Sequence, residues 1–82
     1  MPMKRRLFKA GSRHCVKRNF MSRASAFIAN ELLIFTSDGY SHYDNCFVYE
    51  FHSQTAGQNK IWWLHHNEPA ESWQELFEPL VF

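Results

Sequence analysis

The sequence predicts a small α+β domain, with an antiparallel sheet of three or four strands between an N-terminal and a C-terminal helix, preceded by a basic arm. Three observations lead there. The first 23 of 82 residues hold eight cations and no acid; apolar residues recur at helical spacing in two separate stretches; and the segment between those stretches alternates aromatic with polar residues and is broken by turn signals. Hydrophobic residues make up 45% of the chain and aromatics 17%, the composition of a folded protein, and the length suits one core. The expected division is an arm over residues 1–19 and a single domain over 20–82.

Residues 4–19 are polar and basic, and Gly11 with Ser12 interrupts any long helix there. Phe20, Met21, Ala24, Phe27 and Ile28 then fall within one stripe of a 3.6-residue period, which predicts a helix over about 20–31. Residues 32–36 form a short β-favouring run closed by Ser37, Asp38 and Gly39, a tight-turn signal. A second turn signal at Asp44 and Asn45 precedes the best strand of the chain, 46–52, with Phe47, Tyr49 and Phe51 on one side. A polar loop over 55–59 leads into an aromatic strand over 60–65, so the two read as a hairpin. Pro69 suits the first turn of a final helix, in which Ala70, Trp73, Leu76 and Phe77 share one face and Glu71, Glu75 and Glu78 another. Pro79 ends it, leaving Leu80, Val81 and Phe82 as an apolar tail. The 20–28 and 73–77 faces are expected on one side of the sheet.

Charge is the strongest signal. Residues 1–23 carry +8, and the remainder sets Lys60 against eight acids for −7, so the net +1 conceals a basic segment joined to an acidic body. Clustered cations bind phosphates by releasing counterions, which makes Lys4, Arg5, Arg6, Lys9, Arg13, Lys17, Arg18 and Arg23 the candidate nucleic-acid contacts, with Phe8, His14 and Phe20 available for stacking on bases. An arm of this charge would bind an acidic protein surface just as readily, and the alternative is that it folds back onto its own acidic body. Without a helix-turn-helix, zinc-finger or ribonucleoprotein motif, base-specific readout is not expected.

Cys15 and Cys46 form no CxxC pair and no secretory leader is visible, so reduced thiols in the cytoplasm are expected; the Arg-rich, acid-free start is also the composition of a mitochondrial presequence. No apolar run approaches the ~18 residues of a membrane span. His42, Cys46, His52, His65 and His66 include zinc-ligand types, but no CxxC or HxxxH spacing joins them, and no metal or other cofactor is expected. Ser41, His42 and Asp44, or Cys46 with a histidine, supply the residue types of a nucleophile and base, yet neither a strained nucleophile turn nor a Gly-rich phosphate loop accompanies them. The protein is read as a non-enzyme.

Trp62, Trp63, His66, Asn67 and Trp73 resemble the second half of a WW domain, which implies a groove of flat rings for a proline-rich segment. The opening Leu-Pro-x-Gly-Trp of that family and the Pro after its second Trp are absent, and the helical spacing through Trp73 assigns the three tryptophans mostly to the core. The expected α-β-β-β-α order is similar to that of double-stranded RNA-binding domains. That resemblance is one of topology: Glu71, Glu75 and Glu78 make the final helix acidic where that family's is basic, so no RNA contacts carry over.

The function expected is that of a small accessory protein whose basic arm binds nucleic acid or a nucleic-acid-containing assembly. The alternative is a protein-interaction module or small inhibitor, of the sort phages encode, presenting Trp62, Glu71, Glu75, Glu78 and Phe82 to a partner protein.

Overall fold

A computed structural model describes residues 7–80 of the chain; Lys4, Arg5, Arg6 and Phe82 lie outside the described residues. Seven strands account for most of it: β1 (Arg13–Val16), β2 (Phe20–Ser22), β3 (Ser25–Phe27), β4 (Leu32–Ser41), β5 (Cys46–Ser53), β6 (Gln58–His65) and β7 (Phe77–Leu80). Between β6 and β7 a 3-10 turn, Ala70–Ser72, runs into a single α turn, α1 (Trp73–Leu76). Five strands pair antiparallel in the order β6-β5-β4-β1-β7, and β2 pairs with β3 as a separate hairpin.

The expected α+β arrangement is therefore corrected to a strand-rich fold of two sheets with one short helix near the C-terminus. The N-terminal helix failed for a geometric reason. Phe20 and Phe27 are seven residues apart, which is two helical turns, but with a two-residue turn at Arg23 and Ala24 the same spacing makes them cross-strand partners. Their rings stack at 4.7 Å, while Met21 and Ile28, which a helix would have buried, are 67% and 52% exposed. Arg23 takes the positive φ (52°) that hairpin turns require.

The segment read as a basic arm contains β1, which is hydrogen-bonded on one side to β4 and on the other to β7. Its alternation turns His14 and Val16 into the core and leaves Arg13 exposed. The C-terminal helix is cut short because β1 offers a free edge. Phe77 adopts extended geometry and pairs with Val16, so main-chain groups that a helix would have satisfied internally are satisfied by the sheet. Pro79 is tolerated because β7 is the edge strand. Ser37, Asp38 and Gly39 do not turn: β4 runs through them, with a register shift between Phe35 and Ser37, and the chain reverses at 42–45, where Ser41 and Asp44 hydrogen-bond each other and Asn45 has φ 55°. The hairpin read over 46–65 is present as β5 and β6.

One face of the sheet supplies Leu33, Phe35, Phe47, Tyr49, Phe51, Trp62 and Leu64 to the core. No long helix covers it. Phe8, the β2–β3 hairpin and Trp73, Leu76 and Phe77 do so instead. Phe8 lies within 5.2–5.6 Å of the rings of Phe35, Tyr49, Phe51 and Trp73. The hairpin also guards the outer edge of β6, since the N–H groups of Ile61 and Trp63 donate to Ser25 Oγ (3.0 Å) and Ser22 Oγ (2.8 Å). Among the described residues no helix is long and apolar enough to cross a membrane.

Truncating Phe8 removes a ring that packs between the sheet residues Phe35, Tyr49 and Phe51 and the C-terminal Trp73. Phe8→Ala should cost about 3–5 kcal/mol in urea unfolding; a loss under about 1 kcal/mol, the scale of a surface change, would place this residue outside the core.

Candidate functional site

The described members of the basic set follow the path of β1. Lys9 is exposed in the turn ahead of it, closed by the Ser12 N–H to Lys9 carbonyl bond (2.9 Å). Arg13 opens the strand on the face away from the core. Lys17 continues it, its N–H donating to the Leu76 carbonyl (2.8 Å) and its Nζ to the Gln74 carbonyl (2.9 Å). A carbonyl acceptor orients that ammonium without cancelling its charge. Arg18 follows, also exposed.

Two acids temper this group. Glu78 stands opposite Cys15 across β1 and β7, which makes Arg13 and Lys17 its diagonal neighbours, at about 7–8 Å for such pairs. Arg23 lies apart from β1. Its Nη1 meets Asp44 Oδ1 at 3.1 Å, its guanidinium sits 3.9 Å above the Trp63 ring, and its Nη2 approaches Cys46 Sγ at 3.7 Å. The Ser41 hydroxyl and then Arg23 hold the Asp44 carboxyl below its ordinary value. Arg23 thus clasps the hairpin to β5 and β6 and is not available as one of a row of phosphate contacts.

The residues read as a protein-binding set are scattered. Trp62 is 4% exposed and belongs to the core. The solvent-side ring is its neighbour, Trp63. Glu71 and Glu75 are exposed on the C-terminal turns, but Glu78 is on β7, so the three do not share a helical face. Leu32, 43% exposed, and the half-buried Ile34, Val48, Ile61 and Trp63 lie on the sheet face away from the core.

One constellation escaped the sequence reading altogether. Lys60 Nζ lies 2.6 Å from Glu31 Oε2 and 2.5 Å from the Ala26 carbonyl, and both side chains of the pair are almost wholly buried. The Ser53 hydroxyl donates to the same carboxylate oxygen, and the Ile28 N–H donates to Glu31 Oε1 at 3.0 Å. Burial pushes the Glu31 carboxyl up; the Ile28 amide, Lys60 and Ser53 more than reverse this and leave it below its usual range. The signal was present: Lys60 shares the parity of Trp62 and Leu64 on β6, a lone cation on an otherwise apolar face.

The remaining polar groups do not assemble a reactive centre among the described residues. Ser41 Oγ donates to Asp44 Oδ2 (2.7 Å), while His42 packs edge-on against Tyr40. His52 Nδ1 meets Asn59 Oδ1, His65 Nδ1 accepts from the Asn67 N–H, and His66 Nδ1 lies 3.1 Å from the Asn45 carbonyl. Among the described residues no three His, Cys, Asp or Glu side chains converge as metal ligands, and both cysteines are free thiols. His14 is buried edge-on to Phe8, its Nδ1 without a hydrogen-bond partner; burial lowers its pKa against a smaller opposing effect of the Ser12 main chain.

No family model and no curated protein matches the chain. Among solved structures it is similar to an integron cassette protein from the mobile metagenome of Vibrio cholerae, with 20% identity and a TM-score of 0.70 over 90% of this chain and 87% of that one. At that identity the likeness is one of fold.

His14, Glu31 and the exposed Asp44 are all depressed and make acid destabilising, because the unfolded chain takes up its protons first; of the two carboxylates the buried Glu31 carries the larger effect. Stability should fall in two steps in urea titrations, the first below about pH 6.5 as His14 is forced to charge and the second below about 4.3 as Glu31 loses its anion. His14→Leu should flatten the first step and leave the second; a single unchanged transition would contradict the assignment. Lys60→Ala strands the Glu31 charge and should cost about 3–5 kcal/mol, whereas Lys60→Met combined with Glu31→Leu should recover most of that loss. A double variant no better than Lys60→Ala would show that the pair's geometry, rather than the stranded charge, sets the cost.

Proposed function

We propose that this is a non-enzymatic accessory protein that binds nucleic acid through the cations on and beside β1. The observation that carries this reading is their placement: Arg13 projects from a strand fixed on both edges and Lys17 follows directly after it, its N–H held by the Leu76 carbonyl, with Lys9 and Arg18 exposed on either side. Charges held by backbone pairing lose less conformational freedom on binding than charges on a coil. Lys4, Arg5 and Arg6 extend the same positive sequence toward the N-terminus. With base-reading motifs absent from the sequence, the expected binding is sequence-tolerant and governed by counterion release. Two free thiols accord with a cytoplasmic setting.

A second reading, that of a protein-interaction module, is favoured by the open sheet face around Leu32, Ile34, Val48, Ile61 and Trp63, where Glu50 stands opposite Ile61 across β5 and β6. Its partner would be a protein with an apolar centre and a basic rim.

Deleting residues 1–19 would remove Phe8 and β1 and so test folding rather than binding. The informative variants are Lys9→Gln with Arg18→Gln, and Glu78→Gln, each titrated against a short duplex at several salt concentrations. The wild type should lose affinity steeply with salt, and the double variant should lower the log–log slope by about 1.8 in magnitude for two lost phosphate contacts. Glu78→Gln should tighten binding several-fold. Salt-independent binding, or a double variant with the wild-type slope, would overturn the nucleic-acid reading; a salt-insensitive protein complex lost on Trp63→Ala would establish the second.

A further inference from the structure

The loop between β3 and β4 and the turn between β5 and β6 enclose a cavity of about 310 Å³ that opens to solvent, and the buried Lys60–Glu31 pair lines it. Its walls are mainly apolar, formed by Ile28, Ala29 and Ala56 together with Asn30 and with Thr55, whose Oγ1 is already engaged by the Leu32 N–H (3.0 Å). They are also held in place. The Gln54 N–H donates to the Leu32 carbonyl (2.9 Å), the Ala56 N–H to Ser53 Oγ (3.0 Å), the Ala29 N–H to Asn19 Oδ1 (2.7 Å) and the Asn30 N–H to the Val16 carbonyl (2.8 Å). A preformed, mainly apolar hollow with a few polar groups is the usual anatomy of a small-molecule site, here at the small end of the range of about 300–1,000 Å³.

The lysine has capacity to spare. An ammonium carries three N–H donors, and Lys60 has two hydrogen-bond acceptors among the described residues, Glu31 Oε2 and the Ala26 carbonyl, with the Phe27 ring centroid a further 5.7 Å contact. A third acceptor would complete its shell in a place where an unused donor is costly. Glu31 already balances the lysine charge, so an anionic ligand would bring a second carboxylate against the first, while a neutral oxygen brings no such repulsion. A second cation would gain little, because both Glu31 oxygens already accept hydrogen bonds.

We propose that this cavity is a binding site for a small, uncharged, mainly apolar molecule carrying one carbonyl or hydroxyl oxygen, which accepts a hydrogen bond from Lys60. None of its lining residues is one of the cations on and beside β1 or one of the apolar residues of the open sheet face, so the proposal stands or falls independently of the nucleic-acid reading.

The test is an amide-resolved NMR titration of the full chain with cyclohexanone as the neutral probe and cyclohexanecarboxylate as its charged counterpart. Cyclohexanone should give saturable shifts at the amides of Ile28, Ala29, Thr55 and Ala56, and the carboxylate should bind at least about tenfold more weakly. Ala56→Leu, at an exposed position on the cavity wall, should abolish those shifts while the rest of the spectrum stays folded. If it does not fold, Ala29→Val serves the same purpose. Shifts that fail to saturate or fall elsewhere, equal affinity for the carboxylate, or undiminished binding in a folded cavity-filling variant would each overturn the proposal.

Discussion

Removing one aromatic sheet face from water is the constraint on which the rest of this structure depends. Leu33, Phe35, Phe47, Tyr49, Phe51, Trp62 and Leu64 present a broad apolar surface, and among the described residues there is no long helix to lay across it. The cover is assembled from three short pieces: Phe8 from the N-terminal segment, Phe20 and Phe27 from the hairpin, and Trp73, Leu76 and Phe77 from the C-terminal turns. Each is too small to be stable alone, and each is held by main-chain pairing or by ring contacts with the others. Burial therefore recruits the basic segment into the body, because the chain that carries Phe8 inward continues directly into β1.

The buried ion pair follows from the same arrangement. The hairpin sits along the edge of β6, and its main chain needs partners there: Ser22 and Ser25 accept from outward-facing amides of β6, and Lys60 reaches the Ala26 carbonyl. An ammonium so deeply placed requires a counter-charge, and Glu31 supplies it from the loop that follows β3. Such a pair adds little net stability over a well-packed apolar alternative, but it fixes the hairpin in one position, since any displacement would leave a charge unpaired in the interior. The cavity beside it exists because the loops that deliver Glu31 and Ser53 meet around side chains as small as Ala29 and Ala56.

Charge placement bears on function in a way that composition did not anticipate. A flexible polycation would offer all its charges to a ligand. Here Arg23 is committed to Asp44 and Trp63, Lys17 leans on the end of α1, and Glu78 stands between Arg13 and Lys17. Among the described residues the cations of this segment form an ordered row along one strand, with an acid at its centre.

Local pattern was enough to read β5 and β6, because Phe47, Tyr49 and Phe51 alternate and strand parity needs only nearest neighbours. The segregation of cations from acids, and the lack of a spaced metal or nucleophile motif, were likewise legible residue by residue. Partner choice was not. Phe20 and Phe27 satisfy a helical period and a hairpin register equally well, and only packing against Phe51 and Phe77 selects the hairpin. Asp38 and Gly39 carry turn chemistry that was overridden because continuing the β4–β5 ladder to Ser41 and Cys46 pairs more main chain. The free edge of β1, which ends the final helix at Leu76, and the meeting of Glu31 with Lys60, 29 positions away, are contacts between distant segments. Local propensity carries no information about them; they form because the folded chain leaves those groups no other way to satisfy hydrogen bonds and charge.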